Sequence, residues 1–329
     1  MLIRKVWFHQ MNKKYDIVRF ALKCVLIPAS AVLIIYILNK PYKRLNDQNY
    51  TDILKFSALG TDYQEVQIGN LGSSHGAYDF SYDNIMDKGY TCFNFANTSQ
   101  SFDYDYAVLQ EYGHYMTDDS VLFIPVSYFS FNNEVTNSTE AEAMSIRYYH
   151  FLSPKNIPNY DPYVDIVTTR LPILSAGEDI LKLFPKLNSV LTAHAANEGI
   201  DVEEFARRAQ DRYSRHFNNK DEYFMPERIE NLYDIIDYCK ENNITPVLIT
   251  TPFSKYYNDL VSPDFLQEFH ATINTITADT GVNYYDYSHD ERFNENLEYF
   301  LDSDHLSEAA AVYFTDILWD EIEELQRFH

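Results

Sequence analysis

The first segment with residue types suited to nucleophilic chemistry is Gly72-Ser73-Ser74-His75-Gly76. Glycine permits a tight turn, and a helix that begins after such a turn directs free backbone N–H groups towards a developing negative charge. Serine and glycine are also ordinary turn and cap residues, so an ordinary turn is the commoner explanation of this segment taken by itself.

The second segment, Asp302-Ser303-Asp304-His305, lies near the end of the chain. An Asp three residues before a His can place its carboxylate on Nδ1 of the imidazole, which leaves Nε2 to take a proton from a serine. The same residues could instead form a polar loop that caps the final helix.

The elements that must position these segments are predicted from five runs rich in β-branched and aromatic residues. These runs are 66–72, 90–96, 120–127, 245–251 and 282–287. Helical patterns lie between them, the clearest over 228–242, and this alternation predicts a three-layer α/β sandwich with a five-stranded parallel sheet. The carboxyl ends of such strands share one edge, where the serine segment and the Asp-His segment would meet.

This arrangement resembles the SGNH/GDSL hydrolase superfamily, whose sheet is flavodoxin-like. In that family the serine follows the first strand in a Gly-Asp-Ser-like block, and Asp-x-x-His lies near the C-terminus. Gly72-Ser73-Ser74 is similar to the first block and Asp302 to His305 is similar to the last. The resemblance therefore implies Ser74, rather than Ser73, as nucleophile, with His305 as base and Asp302 as its partner.

Within that superfamily the chain looks most like membrane-anchored proteins of D-alanyl transfer to lipoteichoic acid and of polysaccharide O-acetylation. Segments 96–101 and 124–129 are similar to their second and third blocks, and the resemblance spans about 60–130 and 228–320. It implies a serine acyltransferase or esterase acting on acyl esters of a cell-envelope polymer, with a membrane-bound O-acyltransferase as partner. The alternatives are a non-catalytic accessory of that partner and a plain esterase or lipase.

The blocks that supply oxyanion donors in typical superfamily members are absent here. We expect the backbone N–H of Ser74 to serve, helped by Asn97 or Gln100. Weaker candidates for contacting the substrate are Gly72, Ser73 and Ser127. The polar side chains of these blocks could instead close turns.

Several other polar residues receive a structural interpretation. We expect His75 to pack locally, because neighbouring side chains on a turn seldom face each other. Asp302, Asp304 and His305 lack the usual number and spread of metal ligands, so we expect no metal, and the proposed chemistry needs no other cofactor.

The N-terminal region contains an apolar stretch, 20–38, that is long enough to span a membrane if Lys23 snorkels. A cleaved signal peptide is the alternative, but the residues after Leu38 offer no small-x-small cleavage site. Basic residues are more numerous before the stretch than after it, which predicts a cytoplasmic N-terminus. We expect a cytoplasmic segment (1–19), an anchor (20–38), a linker (39–60) and an extracellular domain (61–329).

Charge is distributed unevenly along the chain. Residues 1–44 hold nine Lys or Arg and one acid, a net of +8, so the total of −23 leaves −31 for residues 45–329. Such a domain repels phosphate backbones, so we expect no nucleic-acid partner. The three cysteines give no disulfide framework, and Cys92 and Cys239 are expected to be buried thiols.

The segment 129–227 contains no convincing pair of strands, and we interpret it as a helical insertion. It has a capping-box signal at Thr139 and Glu142 and an apolar stretch over 180–191. Three roles remain open for it: covering the active site, docking on a membrane partner, or enlarging the core.

Overall fold

The computed structural model describes residues 2–47, 51–131, 145–176, 202–217 and 224–327. The chain divides into two compact units, one formed by 1–51 with 161–193 and the other by 52–160 with 194–329. The expected capping box at Thr139 and Glu142 and the apolar stretch 180–191 lie outside the described residues.

The N-terminal unit is dominated by one long helix, α1 (Leu2–Asp47). Its portion Tyr15–Leu45 is long and apolar enough to cross a membrane, and none of the side chains in its apolar window is buried in the protein. The predicted span 20–38 is therefore part of a longer helix, which also takes in the first residues of the predicted linker.

Part of the predicted insertion packs against the end of α1 within this unit. It consists of a short helix α6 (Pro162–Asp165), a π-helical turn (Ile166–Arg170) and a 3₁₀ turn (Pro172–Leu174). Asn39 Nδ2 donates to the carbonyl oxygen of Arg170 at 2.8 Å, and Tyr42 is buried. This part of the insertion thus belongs to the unit of the apolar helix.

The larger unit is built on a five-stranded parallel sheet with the strand order β2-β1-β3-β4-β5, which confirms the predicted fold class. All five predicted strands are present within a few residues of their expected bounds. The strands are β1 (Val66–Asn70), β2 (Cys92–Asn94), β3 (Met116–Pro125), β4 (Thr245–Thr250) and β5 (Asn283–Asp286).

The central strands read as nearly continuous apolar runs because both of their faces are covered. The last six residues of β3 and the last five of β4 are all buried. One core lies on each face of the sheet: Leu122 and Leu248 belong to the first and Phe123 and Ile249 to the second.

Helices flank this sheet and supply the outer layers of both cores. The predicted helix 228–242 corresponds to α8. Its spacing predicts one apolar face, of which Ile229 is half-buried and Leu232, Ile235, Ile236 and Cys239 are buried. The helices of the larger unit are α2 (Thr51–Ser57), α3 (Ser74–Tyr78), α4 (Asp83–Asp87), α5 (Phe102–Tyr112), α7 (Val202–Phe217), α8 (Pro226–Glu241), α9 (Lys255–Asn258), α10 (Pro263–Thr280) and α11 (Glu308–Arg327). Short 3₁₀ turns occupy Gly113–Tyr115, Ile146–His150 and Leu297–Tyr299.

The strand order reverses between β1 and β3, since the chain places β2 on one side of β1 and β3 on the other. Open α/β sheets bind ligands in the crevice that forms outside the carboxyl ends of the strands at such a point. Ser74 follows β1 and Ser127 follows β3, so this edge is where a site is expected.

Candidate active site

The serine segment forms a tight turn from β1 into α3, as the sequence predicted. Gly72 has a φ of +114°, a conformation that favours glycine, and Ser74 is the first residue of α3. A Cβ atom on Gly76 would lie 2.3 Å from the carbonyl oxygen of Leu71, so only glycine allows α3 to approach the strand end this closely. The turn therefore presents Ser74 at the carboxyl edge of the sheet.

A buried hydrogen-bond network stabilises this turn. Asp105 of α5 accepts a hydrogen bond from the backbone N–H of Gly72 at 2.8 Å and another from Gln100 Nε2 at 2.7 Å. Asn97 Nδ2 donates to Gln100 Oε1 at 2.9 Å, and Lys55 Nζ lies 3.0 Å from Asn97 Oδ1. The two amide side chains that we considered as oxyanion donors thus hydrogen-bond within the protein.

Asp105 is the buried carboxyl of this network, and its partners are neutral donors. Burial raises its pKa to about 7, against the hydrogen bonds from Gln100 and Gly72, which lower it. Nearby Asp103 raises the pKa further, while Arg228, which pairs with Asp103, lowers it.

The Asp-His segment has the geometry that its three-residue spacing predicted. Asp302 Oδ2 lies 2.8 Å from His305 Nδ1, and Asp302 Oδ1 accepts the backbone N–H of His305 at 3.0 Å. Because a carboxylate only accepts hydrogen bonds, these partners assign the imidazole proton to Nδ1 and leave the lone pair on Nε2.

The charges around His305 favour its protonated form. Burial lowers its pKa, but the carboxylates of Asp304, Asp302 and Asp79 outweigh burial, and the net effect is a raised pKa. Burial raises the pKa of Asp302, but the hydrogen bond with His305 helps to bring the pKa below its usual value. An imidazole in these surroundings takes up a proton readily.

The serine turn and the Asp-His loop lie side by side in the larger unit. The rings of His75 and His305 are 5.2 Å apart, and His75 Nε2 lies 3.3 Å from Asp304 Oδ2. The backbone N–H of Leu306 donates to Asp79 Oδ1 at 2.8 Å. Among the described residues Ser74 Oγ makes no hydrogen bond. His305 Nε2 lies within hydrogen-bond distance of Arg212 Nη2 instead.

His75 is fully buried, but its polar partners are distant in the sequence. Its Nδ1 accepts from Ser127 Oγ at 2.8 Å and lies 3.3 Å from Thr251 Oγ1, while its Nε2 faces Asp304. The expectation that His75 packs only locally was too narrow. The first turn of α3 directs its ring towards Ser127, Thr251 and Asp304, which are distant in the sequence. Ser127, a weak candidate for contacting substrate, is buried and serves as a hydrogen-bond partner of His75.

Asp304 is the second fully buried carboxyl of the site, and it lies beside Arg212 and three histidines. Arg212 Nε donates to its Oδ1 at 3.0 Å and to its Oδ2 at 3.2 Å, and His216 Nε2 lies 3.9 Å away. Burial raises its pKa, but His305, His75, His216 and Arg212 together lower it well below the usual range. Asp304 is therefore ionised at neutral pH.

Arg212 also reaches the proposed base. Its Nη2 lies 2.9 Å from His305 Nε2 and 3.2 Å from Nδ1. His75, Asp304 and His305 offer ligand atoms within 4.8 Å of one another, a donor set that a metal ion accepts. Because the Arg212 guanidinium already lies against Asp304 and His305, this cluster has a cation of its own, and the residues fit a bound metal poorly.

Arg212 and His216 come from α7, within the predicted insertion, and were not among the site residues predicted from the sequence. They lie on the same stripe of the helix as the buried residues Phe205 and Ala209, at spacings of three and four residues. A cation and a histidine on an otherwise core-facing stripe is the signal that could have revealed them. The described α7 places Arg212 and His216 at this edge of the sheet and adds Phe205 and Phe217 to the two cores.

Comparisons with known proteins leave the family open. No protein-family model matches the chain, and no curated protein matches it. A solved structure from Streptococcus pneumoniae, which carries a provisional description as a platelet activating factor, matches with 12% identity and a TM-score of 0.41. That match covers 92% of this chain and 98% of the other, and at this level of similarity it carries no functional argument.

Proposed function

We propose that this protein is a membrane-anchored serine acyltransferase or esterase that works through an acyl-enzyme on Ser74. The observation that carries the proposal is the 2.8 Å contact between Asp302 Oδ2 and His305 Nδ1, in a loop that lies beside the Ser74 turn. This pairing fixes the tautomer in which Nε2 accepts a proton.

In the proposed reaction the oxygen of Ser74 attacks the carbonyl carbon of an acyl ester while its proton passes to His305 Nε2. The carbonyl π electrons move onto oxygen and form a tetrahedral oxyanion. When this intermediate collapses, the bond to the leaving oxygen breaks and His305 returns the proton to it. A hydroxyl of a sugar or polyol, or water, then takes the acyl group by the same steps in reverse.

The proposed location is the outer face of a cell membrane. The helix over Tyr15–Leu45 supports anchoring, and the basic residues that precede it support a cytoplasmic N-terminus. A cell-envelope polymer would then be the acyl acceptor or donor, and a membrane-bound O-acyltransferase would be the partner that supplies acyl groups.

The test in cells is the acyl content of envelope polymers in strains that carry Ser74→Ala or, as a matched control, Ser73→Ala. Both serines are half-buried neighbours on the same turn, so a general disturbance of the turn would affect both variants. We expect acyl content to be lost with Ser74→Ala and to fall much less with Ser73→Ala, which removes only a candidate substrate contact. Unchanged acylation in that strain would reject the role in the envelope.

A non-catalytic accessory is the second candidate, and one observation favours it. Arg212 Nη2, rather than Ser74 Oγ, lies within hydrogen-bond distance of His305 Nε2. An accessory would keep its effect on acylation in the Ser74→Ala strain but lose it when its docking surface is altered. A plain esterase would instead hydrolyse small soluble esters quickly without any partner.

A further inference from the structure

The oxyanion of the proposed reaction needs donors, and the two side chains expected to help the backbone N–H of Ser74 are already engaged. The backbone N–H of Gly72 and the side chain of Gln100 donate to Asp105, and Asn97 Nδ2 donates to Gln100. The backbone N–H of Ser127 donates to Ser130 Oγ at 2.8 Å. The backbone N–H of Ser74 therefore needs a second donor from another part of the protein.

We propose that Arg212 is a catalytic residue that binds the oxyanion of the tetrahedral intermediate, an inference that rests on the proposed function. Its Nε is held by both oxygens of Asp304, and its Nη2 points to His305 Nε2. Its Nη1 makes no hydrogen bond among the described residues. One part of the guanidinium thus anchors the group while the other part faces the reacting atoms.

Geometry bounds how far this charge lies from the reaction. A serine oxygen that delivers its proton to Nε2 must come within about 3 Å of that nitrogen. Nη2 lies 2.9 Å from the same nitrogen, so the two atoms are within about 6 Å of each other. The carbonyl oxygen is bonded to the carbon under attack, so the guanidinium has to turn towards it to donate a hydrogen bond.

The position of Arg212 is fixed by the packing of α7. Phe205, Ala209 and Phe217 of this helix are buried, and the rings of Phe205 and Tyr256 lie 5.6 Å apart. Asp304, which is fully buried and ionised, needs the guanidinium as its countercharge. Arg212 is therefore preorganised, which is the condition under which such a charge lowers a barrier most.

In the reaction, the substrate carbonyl displaces Nη2 from its contact with Nε2. The oxyanion that forms as the Ser74 oxygen adds to carbon accepts hydrogen bonds from Nη1 and Nη2, while Nε stays on Asp304. Nε2 is then free to receive the Ser74 proton. No atom is exchanged with Arg212, which keeps its charge throughout.

The test uses the full-length protein and p-nitrophenyl acetate as the probe ester. Arg212→Met is expected to lower kcat about 100- to 1000-fold with little change in KM, because the donor acts mainly on the transition state. Added guanidinium is expected to restore part of kcat in Arg212→Met. Arg208→Met is the matched control: Arg208 is on the same helix but exposed and paired with Glu204 at 2.8 Å.

Arg212→Lys guards against a variant that simply fails to fold. Lysine keeps the countercharge for Asp304, but its single ammonium cannot anchor on Asp304 and reach the oxyanion together. We expect a folded protein, by its thermal unfolding, with kcat at least tenfold lower.

Three outcomes would overturn the inference: wild-type kcat in Arg212→Lys, equal losses in Arg212→Met and Arg208→Met, or a faster Arg212→Met, since the last would make Arg212 a block on His305. A wild-type protein with no Ser74-dependent turnover would instead reject the proposed function, and this inference with it.

Discussion

The two loops that meet at the site are each supported by a fully buried carboxyl, Asp105 under the serine turn and Asp304 under the Asp-His loop. The two groups are equally shielded from water, but their pKa values move in opposite directions. Asp105 has neutral donors and a pKa raised to about 7, whereas Asp304 has Arg212 and three histidines and a lowered pKa. Burial disfavours the charged form of both carboxyls, and the groups around each carboxyl decide whether it stays ionised.

The serine turn and the Asp-His loop are therefore stabilised by different interactions. Close backbone packing and neutral hydrogen bonds stabilise the serine turn, whereas the ion pair between Asp304 and Arg212 stabilises the Asp-His loop. Arg212 contacts both Asp304 and His305, so under the proposed function we expect a change at Arg212 to affect stability and activity together.

We expect the largest loss of stability when the ion pair between Asp304 and Arg212 is broken. Asp304→Ala leaves the Arg212 guanidinium, which is mostly buried, without its countercharge, and we expect the free energy of unfolding to fall by about 3–5 kcal/mol. Denaturant unfolding measures this. In the control Asp320→Ala, which removes an exposed carboxylate 3.4 Å from Lys88, the change should be about 0.5 kcal/mol or less. Equal losses in both variants would contradict the account of Asp304.

The second effect is a dependence of stability on pH that belongs to Asp105. Its pKa is higher in the folded protein than in the unfolded chain, so the folded state binds more protons between about pH 4 and pH 7. Stability from this group is therefore lost as pH rises through that window. The lowered pKa of Asp304 gives the opposite sign, with stability lost only as pH falls below about 4.

Asp105→Asn removes the titration but keeps an acceptor for Gly72 and Gln100. We expect the variant to gain about 1–3 kcal/mol relative to wild type between pH 4 and pH 8, measured as the difference of two unfolding curves at each pH. Taking this difference cancels the titration of the histidines. A difference that does not change with pH would show that Asp105 has an ordinary pKa.

The smallest effect concerns the close packing of the serine turn. Gly76→Ala places a Cβ atom 2.3 Å from the carbonyl oxygen of Leu71, and the shift needed to relieve it should cost about 1–3 kcal/mol. Gly281→Ala is the comparison, because that glycine has φ +72° but no atom within 4 Å of the added Cβ. Its loss should be only about 1 kcal/mol, and thermal unfolding would separate the two. A tolerated Gly76→Ala would mean that α3 can move away from β1.

Much of the fold could be predicted because its signals are local. The five strands are short apolar runs, and the face of α8 follows from the spacing of Leu232, Ile235, Ile236 and Cys239. The contact of Asp302 with His305 could be predicted as well, since three residues of one loop determine it.

The partners of the site could not be predicted in the same way. Arg212 and His216 reach Asp304 from 92 and 88 residues away, and Asp105 reaches Gly72 from 33 residues away, so tertiary packing alone brings them together. Asn97 and Gln100 show the same limit, because no local pattern indicates that their amides hydrogen-bond within a buried network.

The most direct measurement of the central claim is labelling of the full-length protein with a fluorophosphonate probe, followed by mass mapping of the modified peptide. An activated serine attacks phosphorus and expels fluoride, so the adduct reports nucleophilicity without knowledge of the substrate. The account predicts one adduct, on Ser74, that persists in Ser73→Ala and is lost in His305→Ala. An adduct on another serine, or none on a folded protein, would contradict it.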